Sequence, residues 1–533
     1  KIKEWGEDNI AYAQFSCSDF HYLSVLDRKN IYLSQLESLL KYPLQSRRKH
    51  STLRLTFQEG EPLSLNPHYA FGDMRCRVLS KLLFEGITRI DANGAPQLAA
   101  AEKMQRSQDG LTYLFRLRSH HWSNGEKVTS FHFVNSWCSI LNNLHFSSGS
   151  EFLFMIKNVQ KYKEGRCSLE EVGFRAHDTE TLEVQLEWPD PFFLYKLAQP
   201  MLFPMLNRTR EPQWFNGPYL IEKQTTQGIL LESNPYYWDY PRIFFKSIQI
   251  ECLSDAKQSY ALFQGEEIDW IGSPFCRLSP DMVFQLKEKG ELQKQPVARA
   301  LWIYINTTCS FLGSSKIRQA LSLSINRSLI AEHIDLGNAP LYQPLPSSVS
   351  LCPNLFIDNN LGQAKQLFEE GLEEEKSCFP LILSYANVAG QKPLAEYLKE
   401  TWEKTFGIEI HLKGAEWNVL RSHLEKGQFQ IAMSNASALY PDPSEMLERF
   451  SSIKTANFSQ WEHPVYQEKL NLARRLPEQR VRYLREAEEF LFEQMPFIPI
   501  CNSNALYAHN PKLQDFVFDH NGCVDFKWAY LES

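Results

Sequence analysis

Between residues 112 and 118 apolar and polar side chains alternate, with Tyr113, Phe115 and Leu117 on one side and Thr112, Arg116 and Arg118 on the other. Leu114 is the single exception. A period of two is that of a half-buried strand. Asp109-Gly110 precedes the run and Ser123-Asn124-Gly125 follows it, both with the residues tight reversals need. The period then lengthens: Phe133, Trp137, Ile140 and Leu141 recur at helical spacing, with Thr129 or Ser130 placed to cap that helix. Both periods recur downstream. Strands are predicted at 53–57 and 302–308, a strand–turn–strand unit at 172–188, and strand–helix–strand at 247–270. A helix is predicted at 316–330. Another, from 394, passes through Gly407 as its C-cap into an alternating strand and on to residue 420. A last helix, 478–495, turns Ala487, Phe490 and Leu491 inward. Before residue 51 the pattern thins to one short helix, 31–42, with Leu33, Leu36, Leu39 and Leu40 on one face and Pro43 at its end.

At 533 residues the chain exceeds one ordinary core, so two or more lobes are expected. Its 43% hydrophobic and 22% charged residues are those of a globular protein, and no apolar run is long enough to span a membrane. A net charge of -7 argues against nucleic acid as a partner, and Arg47-Arg48-Lys49, the one tight basic cluster, reads as a solvated loop. Eleven cysteines without a CxxC lack the spacing of metal or thioredoxin-like sites; buried free thiols, with room for one or two bridges, are expected. His120-His121 is no metal site, because adjacent residues on a strand point apart and no partner stands at i+4. GxSxG, HExxH and P-loop motifs are absent, so neither catalysis nor a cofactor is expected. Lys1 opens the chain with neither Met nor an apolar leader, which fits a removed signal peptide or a trimmed chain equally.

The ordering of these elements carries a resemblance. Residues 94–137, GAPQLAAAEKMQRSQDGLTYLFRLRSHHWSNGEKVTSFHFVNSW, resemble the signature of the family 5 solute receptors of ABC importers, the oligopeptide- and dipeptide-binding proteins. SLNPHYAF, LLFEGITRID (82–91), VGFRAHDTETLEVQLEW (172–188), Asn216-Gly217-Pro218-Tyr219 with LLESNPYYWD, and KIRQALSLSINRSLI (316–330) match further family segments in order. The ending with VDFKWAY is similar to peptide receptors of the chlamydial group. His132 departs from the pattern, standing where the family has an acidic residue in a helix's first turn, a change expected to weaken that cap. Asn326-Arg327 replaces an Asp-Arg pair. The resemblance implies an α/β, two-lobed periplasmic-binding-protein fold of type II, the large peptide-binding class. Lobe I would comprise 51–84, 173–271 and 500–533, an insert domain 85–172, and lobe II 272–499, with 1–50 an extension of open role. It further implies a monomeric receptor, periplasmic or otherwise extracytoplasmic and open to lipid anchoring, that closes on a short peptide or related small solute and delivers it to an ABC permease. A ligand-sensing regulator on the same fold would need an N-terminal DNA-binding domain, which residues 1–50 do not supply.

The same resemblance nominates a site. Such receptors hold the peptide backbone as an added strand and fix its termini with opposite charges. The family motif carrying the amine-anchoring Asp matches Met433 to Pro443, with Tyr440, Asp442 and Pro443 in register, and the anchor position falls on Leu439. A leucine cannot accept a hydrogen bond, and an unpaired buried ammonium costs on the order of several kcal/mol. Three readings stay open: Asp442 replaces the anchor, the ligand lacks a free amine there or shifts register, or peptide binding has been lost. Asn435, Ala436 and Ser437 occupy the rest of the motif, Asn435-Ala436 replacing a Gly-Trp pair. Trp417 matches a position that lines the pocket in the family, and Arg299 precedes the strand of Trp302, a further ligand-binding candidate, where the family's cleft wall passes. Arg299 and Arg421 are candidates for an anionic group, Arg421 provided a helix has begun at Trp417.

Overall fold

The computed structural model of the chain describes residues 51–532, apart from 61, 71, 143–150, 207–211, 335–336, 356–357, 375–379, 389 and 452–456. The helix expected at 31–42 lies outside these residues. Strand β1 (Thr52–Gln58) buries Leu53, Leu55 and Phe57 on one side, each contributing about 1.5–3 kcal/mol of apolar burial. Helix α1 (Met74–Leu83) follows, its first turn satisfied by Asp73, which accepts from the Arg75 N–H at 2.8 Å.

Strands β2 (Ala101–Arg106) and β3 (Thr112–Leu117), helix α2 (Ser130–Asn142), and strands β4 (Phe174–Ala176) and β5 (Thr181–Gln185) form the next unit. Tyr113, Phe115 and Leu117 point inward as the alternation required. The four strands run in the order β2-β3-β5-β4, with β5 antiparallel to β3. A division at residue 172 therefore cuts this sheet; hydrogen bonding carries it through Gln185. His132 does not weaken the start of α2. Its Nδ1 accepts the Thr129 N–H at 3.0 Å, the bond a carboxylate makes in a capping box, and burial keeps its pKa low and the ring neutral.

Strands β6 (Tyr219–Thr225), β7 (Gly228–Ser233) and β8 (Ser247–Leu253) complete lobe I's own sheet, β1-β8-β7-β6, with β1 and β8 parallel. One continuous apolar core runs from Leu53 and Phe57 through Phe115 and Trp137. The chain leaves through β9 (Trp270–Gly272). Just before it, Asp269 donates its N–H to Arg54 O at 2.8 Å and its carboxylate binds the Arg54 side chain. Trp270 stacks on Tyr507 at 4.6 Å and meets Phe516 and Phe526 edge-on, fixing the crossing.

Lobe II contains β10 (Gln293–Ile305), α3 (Ser315–Leu323), α4 (Leu361–Glu374), β11 (Leu381–Ala386), α5 (Gln391–Phe406), β12 (Ile410–Ala415), α6 (Trp417–Glu425) and β13 (Ile431–Ser437). After these come α7 (Pro443–Leu447), α8 (Pro464–Arg475), α9 (Arg480–Gln494) and β14 (Phe497–His509). The seven-stranded sheet runs β9-β14-β10-β13-β11-β12, with the two-residue strand Ala339–Pro340 added on β14. One face of β10 (Leu301, Ile303, Ile305) packs with α3 and α5, the other (Ala300, Trp302, Tyr304) with α8 and α9. Gly407 ends α5 at a φ of 68°, a left-handed cap open to glycine without strain. The helix expected at 316–330 stops at Leu323, because Asn326 accepts the Leu329 N–H and starts a new turn. Strand β14 stays in this sheet through His509, nine residues beyond an expected lobe boundary at 500. The nine described cysteines are unbridged, and no described helix is long and apolar enough to cross a membrane.

Candidate functional site

Where the pairing of β10 with β13 ends, the lobes meet. Ala438 donates its N–H to Ala298 O at 2.7 Å, and Arg299 lies opposite Ser437 and Leu301 opposite Asn435. Residues directly opposite in an antiparallel pair share a face. Arg299, Asn435 and Ser437 thus lie together, on the continuation of the face that buries Leu301 and Met433 deeper in the lobe. The alternation of ladder bonds sets the peptide groups of Asn435 and Ser437 toward the other edge of β13. β11 covers that edge only at Ile431 and Ala432. Beyond it, Asn435 is exposed, and Ser437 O accepts from the Arg449 side chain at 2.5 Å.

Ala436 and Trp302 belong to the opposite face. Both are fully enclosed in the core; Trp302 stacks on Phe497 at 3.9 Å. They are packing residues rather than lining ones, because the strand period turns them away from Arg299. Asp442 is also engaged. It caps α7 by accepting the Ser444 N–H at 2.9 Å, and its two oxygens take Arg480 at 2.6 and 2.8 Å. That carboxylate is committed to lobe II, its charge matched by Arg480.

Leu439 sits at the junction itself, buried with Met201 and Tyr440 and flanked by Phe152, Phe192 and Tyr195 from the other side of the cleft. Tyr440 stacks on Phe192 with ring centres 5.6 Å apart, and the Lys196 ammonium lies 5.1 Å from the Tyr440 ring centre. Burial opposes the charge on Lys196, but Asp190 at 2.6 Å more than offsets this and raises its pKa. Arg480 and Arg474 reach from lobe II over the rings of Phe192 and Trp188. The segment 188–201 is thereby one contact of the first lobe with the second.

A cationic floor lies beside this apolar contact. Gln199 donates to Leu439 O at 3.4 Å and accepts from Arg77 at 2.7 Å. Arg77 is 3.9 Å and Lys81 2.8 Å from Asp519, and Arg299 donates to Asn521 O at 3.4 Å. The Nε groups of Arg77 and Arg299 are both buried without a hydrogen-bond partner. Burial lowers the Arg299 pKa, opposed by Asp519 and reinforced by Arg277. Arg77, Gln199, Asp519 and Arg480 escaped the sequence reading. Arg77 and Lys81, four apart on the buried face of α1, were the available signal: two cations where the helical period calls for apolar side chains.

Trp417 and Arg421 stand apart from this group. α6 does begin at Trp417, so the two share a helical face. Trp417 is 39% exposed, and Arg421 pairs with Glu425 at 2.9 Å. Arg421 also reaches across to Gly72, where a Cβ would stand 2.9 Å from its Nη1.

Residues 95–458 match the family model described as "Bacterial extracellular solute-binding proteins, family 5 Middle". The chain belongs to this family. It is similar to the oligopeptide-binding protein OppA of Bacillus subtilis (strain 168), 29% identical over 503 residues, covering 89% of this chain and 91% of OppA. The dipeptide-binding protein DppE of the same organism is 27% identical over 496 residues, covering 88% and 90%. Among solved structures, the Escherichia coli murein tripeptide binding protein MppA superposes with a TM-score of 0.81 over 90% of this chain and 99% of that one, at 23% identity. The two-lobed type II fold expected from the sequence is therefore the fold of this family 5 protein.

Proposed function

We propose that this chain is the substrate-binding receptor of a peptide-type ABC importer, which captures a short peptide or related small solute between its lobes and presents it to the permease. The observation that carries the reading is the family match across 95–458 together with the uncovered edge of β13 at the lobe junction. An extended ligand laid along that edge would meet the outward peptide group of Asn435 and the N–H of Ser437, as an added strand does, beside the Arg449 side chain that holds Ser437 O. The protein acts outside the cytoplasm, as a monomer and without covalent chemistry. Its lobes close about the crossing strands β9 and β14, and closure builds the surface that the permease reads. Side chains that could be specific lie around the edge, with Arg299 at one side and Leu439 at the other.

Thermal shift with pools of tri- to pentapeptides, one free and one acetylated at the N-terminus, tests the reading. A ligand at 100 times its dissociation constant adds about 2.7 kcal/mol. Stabilisation by at least one pool, with compaction in small-angle scattering, is expected; no response to either overturns it.

A further inference from the structure

We infer that this receptor selects its ligand by a carboxylate rather than by an amine: Arg299 holds the acidic group, and the ligand end facing Leu439 is uncharged. This rests on the reading of the chain as a solute receptor and names the class of solute. Three observations converge on it. The first is the enclosure of Leu439 by Met201, Tyr440, Phe192 and Tyr195, which offers an ammonium no carboxylate, while Asp190 beyond them is already paired with Lys196. Asp442, the nearest carboxylate along the chain, is held by Arg480 and the α7 cap. An amine placed there would be desolvated and unpaired.

The second is the state of Arg299. Its only hydrogen bond among the described residues is a long one to Asn521 O, and its Nε is buried without a partner. Guanidinium groups enclosed in this way are normally matched by a carboxylate, most often through two parallel bonds. No described carboxylate lies within ion-pairing distance of Arg299. The third is the charge around it. Arg77 and Lys81 share the single carboxylate of Asp519, which lies two residues from the Asn521 carbonyl that Arg299 touches. Asp525 also acts on Lys81 but is itself paired with Arg89, so Arg77, Lys81, Arg89 and Arg299 together outnumber Asp519 and Asp525, and a ligand carboxylate would reduce the excess. Arg299 and Leu439 are close enough for one short ligand, because Ala298 and Ala438, their chain neighbours, share a backbone hydrogen bond.

The class named is an amine-free carboxylate: an acylated peptide or another acid with an apolar end. Isothermal titration with four pools of tri- to pentapeptides separates the possibilities: free or acetylated at the N-terminus, each as C-terminal acid or C-terminal amide. In the wild-type protein the acetylated acids should bind as tightly as the free-amine acids or tighter. Both should exceed the matching amides roughly 10- to 100-fold, the scale of a charge-assisted pair. Arg299→Gln should reduce that acid-to-amide ratio to about one. It should do so without lowering the ligand-free melting temperature, since it removes a half-buried cation that has no carboxylate partner; a merely structural arginine would behave oppositely. Equal binding of acids and amides, loss of binding on acetylation, or a ratio that survives Arg299→Gln overturns the inference and leaves the receptor function intact. Failure of all four pools overturns both. The wild-type comparison stands even if the variant does not fold.

Discussion

Asp442 gives the sharpest test of which residues in the anchor motif are structural. Asp442→Asn keeps a side-chain oxygen able to cap α7, since Asn and Asp serve almost equally there, but removes the charge facing Arg480. The Asp442 side chain is 5% exposed and that of Arg480 21%. Breaking a fully buried pair costs about 3–5 kcal/mol, whereas an exposed pair contributes about 0–1. With one partner enclosed and the other a fifth exposed, and with Arg480 retaining Ser444 Oγ at 3.1 Å, a loss of about 2–3 kcal/mol is expected. Asp442→Ala adds about 1 kcal/mol for the lost cap. If lobe II unfolds as a unit, Asp442→Asn lowers its melting temperature by roughly 5–10 °C. A double-mutant cycle with Arg480→Gln should return a coupling of about 2 kcal/mol. The assay is urea and thermal unfolding beside ligand-induced stabilisation of the same variants. Wild-type stability in Asp442→Asn combined with loss of ligand stabilisation would refute the reasoning, because it would make Asp442 the ligand's amine anchor.

Three other outcomes follow from the geometry. Trp302→Ala should destabilise lobe II by about 3–5 kcal/mol, while Trp302→Phe keeps the ligand-induced melting shift; a folded Trp302→Phe that no longer responds to ligand would place Trp302 in the pocket after all. Burial lowers the pKa of His120 and that of His68 to about 4, from 6.5, despite bonds to Arg118 O and Phe203 O. Depressed folded-state values mean that the unfolded chain binds more protons. Stability is then complete above pH 6.5 and lost as pH falls toward 4, by about 3 kcal/mol for each ring. Urea unfolding between pH 7.5 and 4.5 should have a shallower slope in His120→Asn than in wild type, and equal slopes contradict the assignment. Tyr440→Ala removes the Phe192 stack across the cleft, so ligand-free scattering should give a larger radius of gyration with both lobes still folded. An unchanged radius would mean that the contact does not hold the lobes together.

Much of the architecture was determined by the sequence alone. The period-two run at 113–117, the Gly407 cap, the amphipathic helix entering it and the ordered motifs from 94 onward each follow from local chemistry, since backbone period and turn geometry are properties of neighbouring residues. What those residues do was decided only by packing. Trp302 and Arg299 are three apart on one strand and so lie on opposite faces, yet only the packing shows that one face is closed by core at Trp302 while the other reaches the junction of the lobes at Arg299. Asp442 appeared free to replace the anchor until Arg480, 38 residues on, occupied both its oxygens. The cationic floor joins α1 to the turn at 519–523 across more than four hundred residues, and no local pattern encodes such a meeting. Sequence period fixes which way a side chain turns from its own strand or helix; only the tertiary structure determines what it then faces.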